Sequence, residues 1–304
     1  MPVAQLIQQP PLVNASALPT RVFGKTGEEV PILGLGTAPC GMGLPDSLAI
    51  DLIHSAIEQG VTYLDTAPAY GRAQIQLGEV LAERRDEVFL VTKTLTDTAD
   101  KALEILENSL RELKTDHVDV TFLHSVSSLD IDAVLAPDGA LAGLREARRR
   151  GWTRYIGLTA HARPDSACRI LKEEELDAVM FALNYVDRHT YNFQGIPLEL
   201  AIKQNAGIAA MKVFGGAQEM KYDQPTRSLL HGSGGHDHGK ALQYALSLPG
   251  VALAVVGMFN IDEVKENVAY ARSFKRLDAP HIAALEEDGC KLAETWKDHF
   301  GPVQ

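Results

Sequence analysis

The sequence predicts an α/β fold of the (β/α)8 TIM-barrel type, with an N-terminal β-hairpin and an extra C-terminal helix, and three observations carry the prediction. Eight short apolar runs recur between residues 32 and 258, each followed by a segment of helical period. The runs are close to continuously apolar, as strands buried on both faces must be. No Pro-, Gly- or Ser-rich linker splits the 304 residues into halves, and one barrel of about 250 residues plus additions fills that length.

The elements follow in order. Residues 1–20, with Pro10-Pro11 and a polar scatter, read as a loosely held tail, leaving one domain over 21–304. Two apolar runs flank Lys25-Thr26-Gly27, a hairpin signal placed to plug the barrel bottom. Ile32–Thr37 is the first strand; Asp46 caps a helix whose Leu48, Leu52, Ile53, Ala56 and Ile57 share one face up to Gly60. Strand Thr62–Ala67 precedes helix Ala73–Glu83, Val88–Thr94 precedes Asp97–Leu113, and Val118–His124 precedes Asp138–Arg150. Then come Arg154–Ala160 with Pro164–Glu174, Ala178–Asn184 with Pro197–Asn205, Gly207–Val213 with Lys240–Leu248, and Leu253–Met258 with Asp262–Phe274. A last amphipathic helix over 279–298 presents Ile282, Leu285, Leu292 and Trp296, to pack outside the barrel or across its rim.

Composition sets the bounds. Hydrophobic residues at 45% and charged residues at 23% suit a globular protein with a sizeable core. A formal net charge of −11 and a pI near 5.4 argue against nucleic acid and anionic membrane partners, which need a basic face. Cys40, Cys168 and Cys290 lack paired spacing and read as free thiols. With no secretory signal and no apolar run near the roughly 20 residues that span a bilayer, the expectation is a cytoplasmic protein. Oligomeric state is not readable from the sequence.

In such a barrel, polar residues ending the strands face the active-site mouth. Here they are Asp65, Lys93, His124, Thr159, Asn184 and Lys212. A lysine inside the apolar run Val88–Thr94 requires an anion, and Asp65 on the neighbouring strand supplies one. Tyr70, between Pro68 and Gly71, can turn back towards the pair, where the lysine charge would lower its phenol from about 10. His124 would face it as a donor to a polarised oxygen, so the four side chains compose a proton-delivery site. Taken alone, Asp65 with Lys93 is equally a structural ion pair, Thr159 and Asn184 equally caps, and Lys212 a solvated lysine.

Several phrases carry a resemblance to the aldo-keto reductase superfamily. Arg21-Val-Phe-Gly-Lys-Thr-Gly27 with Val30–Thr37 resembles its opening hairpin and first strand, and Leu64-Asp-Thr-Ala-Pro-Ala-Tyr-Gly71 its Asp/Tyr motif. Val91-Thr-Lys93, Leu113–His124 and Gly151–Thr159 resemble its lysine strand, its histidine strand and a strand touching the nicotinamide amide. The likeness runs from about Arg21 to Phe274. It implies NADPH-dependent reduction of an aldehyde or ketone, or the reverse, on a small-molecule substrate, with NAD as the alternative cofactor. Tyr70 would be the acid, Lys93 and Asp65 would tune it, and His124 would orient the carbonyl. It further implies cofactor contacts from Thr37, Thr159, Lys212, Phe214, Gly257, Met258, Lys265 and Asn267, and no metal. Gly34-Leu-Gly36 does not extend into a Rossmann fingerprint, in keeping with a dinucleotide laid over a barrel mouth.

Departures from the family pattern fall around the nicotinamide. Ala160 and Met180 stand where many members have Asn and Gln, and Met211 where many have a stacked Tyr. The usual arginine for a 2′-phosphate has no clear counterpart, with Lys265 the nearest cation, so NADP over NAD rests on the resemblance alone. His231, His236 and His238 lie among glycines, a setting for a mobile flap over the cofactor rather than for a metal site. Two other functions compete with a reductase: an aldolase using Lys93 or Lys212 as a Schiff-base amine, and a non-catalytic dinucleotide sensor. Borohydride trapping separates the first, and tight cofactor binding without turnover the second.

Overall fold

In the computed structural model, residues 17–217, 221–222, 228–234 and 237–304 are described. Ten strands are present among them. β1 (Thr20–Val22) and β2 (Glu29–Pro31) pair antiparallel as a hairpin. The other eight are β3 (Leu33–Gly36), β4 (Tyr63–Asp65), β5 (Phe89–Thr94), β6 (Val118–Leu123), β7 (Thr153–Ala160), β8 (Ala178–Ala182), β9 (Gly207–Met211) and β10 (Val251–Gly257). They close in the order β10-β3-β4-β5-β6-β7-β8-β9, every pairing parallel. The predicted barrel is therefore observed.

Strand pleating decides which side chains enter the lumen. Alternate residues share a face, so Tyr63 and Asp65, Val91 and Lys93, Val120 and Phe122, and Met180 all belong to the interior set. Their apolar members form one buried cluster with Phe23, Val30, Ala209 and Leu253. The hairpin closes the N-terminal end. Phe23 is fully buried and packs edge-on against Tyr63 and Phe89, at ring separations of 5.9 and 5.8 Å. Arg21 anchors the hairpin by donating to the carbonyls of Leu246 and Val251 at 2.9 and 2.6 Å. Leu18 is also buried, and Pro19 accepts from the Ile32 amide, so the ordered chain reaches back before Arg21.

The helices cover the barrel's outer face. Between β3 and β4 lie α1 (Ala38–Gly43) and α2 (Asp46–Glu58); α3 (Ala73–Arg84) and α4 (Ala99–Glu112) follow β4 and β5. α5 (Ile131–Leu135) and α6 (Ala140–Arg149) follow β6, α7 (Pro164–Glu173) follows β7 and α8 (Ile196–Lys203) follows β8. After β9 come the short α9 (Leu229–Gly232) and α10 (His238–Ser247), and after β10 come α11 (Ile261–Arg272) and α12 (Ala279–Trp296). Several points differ from the elements expected: Asp46 is the first residue of α2 and does not cap it, its carboxylate accepting from Arg72 and Gln76 instead. α1 and α5 fall in stretches where no element is expected; α10 starts at His238 because Asp237 caps it, accepting from the Lys240 amide; and β10 starts at Val251, two residues before the expected Leu253, with a register irregularity opposite β9 between the two.

α12 crosses the rim. Trp296 at its end donates to Ser233 Oγ at 2.9 Å, and the chain then turns over the mouth. There His299 bonds Asp187 at 2.8 Å, and the Phe300 amide donates to the Tyr191 hydroxyl. No helix among the described residues is long and apolar enough to cross a membrane.

Candidate active site

Asp65 is placed by register. It pairs with Gly36 on one side and Val91 on the other, so Lys93, two residues beyond Val91, projects from the same face one pleat higher. Lys93 Nζ donates to Asp65 Oδ1 at 2.6 Å and to the Thr66 carbonyl at 2.8 Å. The two side chains are 1% and 5% exposed. Burial lowers the Lys93 ammonium and raises the Asp65 carboxyl, and in each case the partner's charge opposes the shift. Thr37 fixes the strand end from the other side, its amide and hydroxyl both donating to the Asp65 carbonyl at 2.9 Å.

Tyr70 is held by α1. The Arg72 amide donates to the Gly41 carbonyl at 3.0 Å, bringing the helix and the tyrosine loop into backbone contact. A Cβ on Gly41 would lie 1.8 Å from the Tyr70 carbonyl oxygen, so only glycine permits this approach. Lys93 Nζ then sits 4.8 Å from the centre of the Tyr70 ring, and the His124 ring meets it edge-on at 5.9 Å. The four expected residues are thus brought together at one end of the barrel. The expected lowering of the phenol is not what the geometry gives. Burial above all, and then the Asp65 charge and Tyr222, hold Tyr70 well above its ordinary 10. His124 goes the other way, down to about 3, through burial and then the neighbouring Lys93, His161 and Lys212. Its imidazole is neutral at pH 7.

An open cavity of about 410 Å³ begins at this cluster, with Asp65, Tyr70, Met180 and Met211 on its wall. It continues past Lys212, Phe214 and Gly257 to α11, where Glu263, Glu266, Asn267 and Tyr270 form the opposite end. Of the cofactor contacts expected from the sequence, Lys212, Phe214, Gly257 and Asn267 lie on the wall. Thr37, Thr159 and Met258 lie behind it, each with at most 1% of its surface exposed. The hydroxyl of Thr159 accepts from the Ser125 amide at 2.8 Å, so it positions the loop after β6. Lys265 points away from the cavity, with 63% of its side chain exposed and Asp262 as its partner at 3.2 Å. The helical phase explains this: Glu263, Glu266, Asn267 and Tyr270 recur at three and four residues on the inward face of α11, and Lys265 falls off it.

Lys212 adopts a left-handed backbone, φ 57°, at the end of β9. Asn184, two residues beyond the end of β8 and buried, stabilises that turn by donating to the Lys212 carbonyl at 3.0 Å and to Asp187 at 2.6 Å. The Lys212 ammonium donates to the Tyr222 hydroxyl at 2.8 Å. His231 and His238 also line the cavity, His238 bonding Ser228 at 2.8 Å. His236 lies outside the described residues, as does part of the flap expected over 214–238. Gly41, Tyr222, Glu263 and Glu266 were not singled out by the sequence reading; α1 carries no apolar period, and two glutamates in a helix read as surface charge.

The Aldo/keto reductase family model matches residues 32–288 of this chain. The oxidoreductase YqkF of Bacillus subtilis is 26% identical over 307 aligned residues, which span 88% of this chain and 95% of that protein. Among solved structures, the holo form of aldo-keto reductase AKR11C1 from Bacillus halodurans matches with a TM-score of 0.71 at 24% identity, covering 89% of this chain and 96% of its own. A Bombyx mori aldo-keto reductase solved in complex with NADP matches with a TM-score of 0.67 at 20% identity, over 93% of this chain and 97% of its own.

Proposed function

The chain belongs to the aldo/keto reductase family, and from that premise we propose how its own residues divide the work of nicotinamide-dependent carbonyl reduction. The barrel domain, residues 21–304, carries the whole site. Tyr70 delivers the proton to the carbonyl oxygen of a small aldehyde or ketone. Lys93, its ammonium against the Tyr70 ring, stabilises the negative charge the phenol acquires as the proton leaves. Asp65 holds that ammonium in place. Neutral His124 orients the carbonyl from across the mouth. In the reverse direction Tyr70 takes the proton from an alcohol.

The residues lining the cavity fit a dinucleotide. Asn267 Nδ2 donates to the Glu263 carbonyl at 2.8 Å, while its buried Oδ1 has no partner among the described residues and so accepts an incoming N–H. Lys212 offers an ammonium to a phosphate, and Phe214 and Gly257 complete the wall. A bound reduced nicotinamide supplies the hydride. The family resemblance brings NADP(H) as its first candidate, the cofactor also present in the Bombyx mori complex, and NAD(H) as the second.

One observation carries the proposal: a buried lysine, paired to a buried aspartate, is stacked against a tyrosine that opens onto the cavity. Stopped-flow absorbance of reduced nicotinamide with simple aldehydes tests it. Cofactor binding without turnover across a broad carbonyl panel would sink it. A Schiff-base role for Lys93 has no support from the geometry, since its ammonium is committed to Asp65 and Thr66.

A further inference from the structure

We infer that this cavity selects the non-phosphorylated dinucleotide, NAD(H), over NADP(H), through the carboxylates of Glu263 and Glu266 at its α11 end. The inference rests on the reading of the cavity as a dinucleotide site. With the reacting ring beside Tyr70 at one end, the adenosine half is directed towards the other, where α11 presents Glu263, Glu266, Asn267 and Tyr270. The two cofactors differ there by one group: a 2′-hydroxyl in NAD, and in NADP a phosphate carrying nearly two negative charges at neutral pH.

The charges at this end of the cavity disfavour that phosphate. Glu266 accepts from the Tyr270 hydroxyl at 2.6 Å, and this bond with burial raises the Tyr270 phenol to about 12. Asp237, the cap of α10, adds a third carboxylate acting on the same phenol. Among the described residues lining the cavity, Lys212 is the only lysine or arginine. It sits at the end of β9, bonded to Tyr222 and acting on Asp65, so its charge belongs to the reacting end. Lys265 is paired to Asp262 off the wall.

The start of α11 would ordinarily be the place for a phosphate, because free amides and the helix dipole point there. In this chain it is already occupied by the helix's own side chains. Asn260 Oδ1 accepts from the Glu263 amide at 2.9 Å, and Glu263 returns its carboxylate to the Phe259 amide and to Asn260 Nδ2, at 2.8 and 3.1 Å. This reciprocal cap puts a full negative charge where an anion would have to dock. A ribose with both hydroxyls free meets the same carboxylates as donors, and its hydroxyls can be accepted.

The test is equilibrium binding of NADH and NADPH to the full-length protein, read by nucleotide fluorescence and by calorimetry, for the wild type and for Glu263→Gln, Glu266→Gln and the double variant. Glutamine keeps an acceptor for the Phe259 amide, so the cap and the fold are retained. The wild type is expected to bind NADH at least about tenfold more tightly than NADPH, a gap set by like-charge repulsion and narrowing as salt is raised. The double variant should close most of the gap by gaining affinity for NADPH. Equal or tighter binding of NADPH by the wild type would overturn the inference and leave the reductase assignment standing, as would a gap unchanged in the double variant. Failure of both nucleotides to bind would overturn the reductase reading as well.

Discussion

Replacing Tyr70 with phenylalanine removes one oxygen from the site and should leave the rest in place. The ring keeps its contact with the Lys93 ammonium, 4.8 Å from its centre, and its edge-on contact with His124 at 5.9 Å. The Asp65–Lys93 bond at 2.6 Å does not involve the phenol. Stability should therefore change by less than about 1 kcal/mol, within the range of a surface substitution. The chemical step should fall by about 10²–10⁴-fold, the usual contribution of a positioned general acid, or roughly 3–5 kcal/mol of barrier at about 1.4 kcal/mol per tenfold. Single-turnover decay of reduced nicotinamide absorbance at saturating aldehyde isolates that step, with cofactor affinity measured in parallel.

The same groups define the pH profile. Tyr70 is held well above 10 by burial and by Asp65, so the acid form persists through pH 9. His124 is held down at about 3, so it is neutral from about pH 5 upward. The reduction rate constant should then be flat between about pH 5 and 9. Single-turnover rates in the phenylalanine variant within about tenfold of the wild type, or a wild-type profile that titrates near pH 7, would refute the assignment of Tyr70 as the acid.

Asp65→Asn and Lys93→Met each leave one buried group of the pair without its partner and should cost about 3–5 kcal/mol in urea unfolding; the double variant should cost clearly less than the sum, and strict additivity would show that the two are not coupled. Gly41→Ala drives a Cβ against the Tyr70 carbonyl and the Ala73 amide, at 1.8 and 2.3 Å. A displacement of about 1 Å in the tyrosine loop should lower turnover by about 10²-fold, while a crystal structure or activity indistinguishable from the wild type would contradict the close approach. His124 is charged in the unfolded chain below its ordinary 6.5 but stays neutral in the fold down to about 3. Its contribution to stability is thus fully present above pH 6.5 and lost as the pH falls through about 3. Half-buried as it is, that amounts to roughly 2–4 kcal/mol, and His124→Phe should flatten the acid limb of a urea midpoint-versus-pH curve.

Much of this molecule is legible in its sequence, and the reason is geometric. A strand enclosed on both faces must be apolar throughout, so Lys93 within Phe89–Thr94 and Asp65 at the end of Tyr63–Asp65 stand out against their own neighbours. Register then does the rest, because residues two apart on a strand share a face. What is illegible is set by docking rather than by period. Ala38–Gly43 is a helix although it holds a proline and two glycines, since Pro39 suits its first turn and its backbone packs on the tyrosine loop. Phe300 reaches the mouth only because α12 crosses the rim; it lies against Tyr191 at a ring separation of 5.6 Å and below the Lys212 ammonium at 5.8 Å. Glu263 reads locally as a helix cap, which it is, and only the packing of α11 beside β3 turns that cap into part of the cavity wall. The two kinds of residue divide by role. Strand residues hold the Asp65–Lys93 pair, whereas Tyr70 on its loop and Glu263 on α11 reach the cavity through packing between elements. A barrel sequence therefore reveals its reaction type more readily than its specificity, because a buried ion pair set by strand pairing stands out against apolar neighbours, whereas specificity positions are set by contacts between elements distant in the chain.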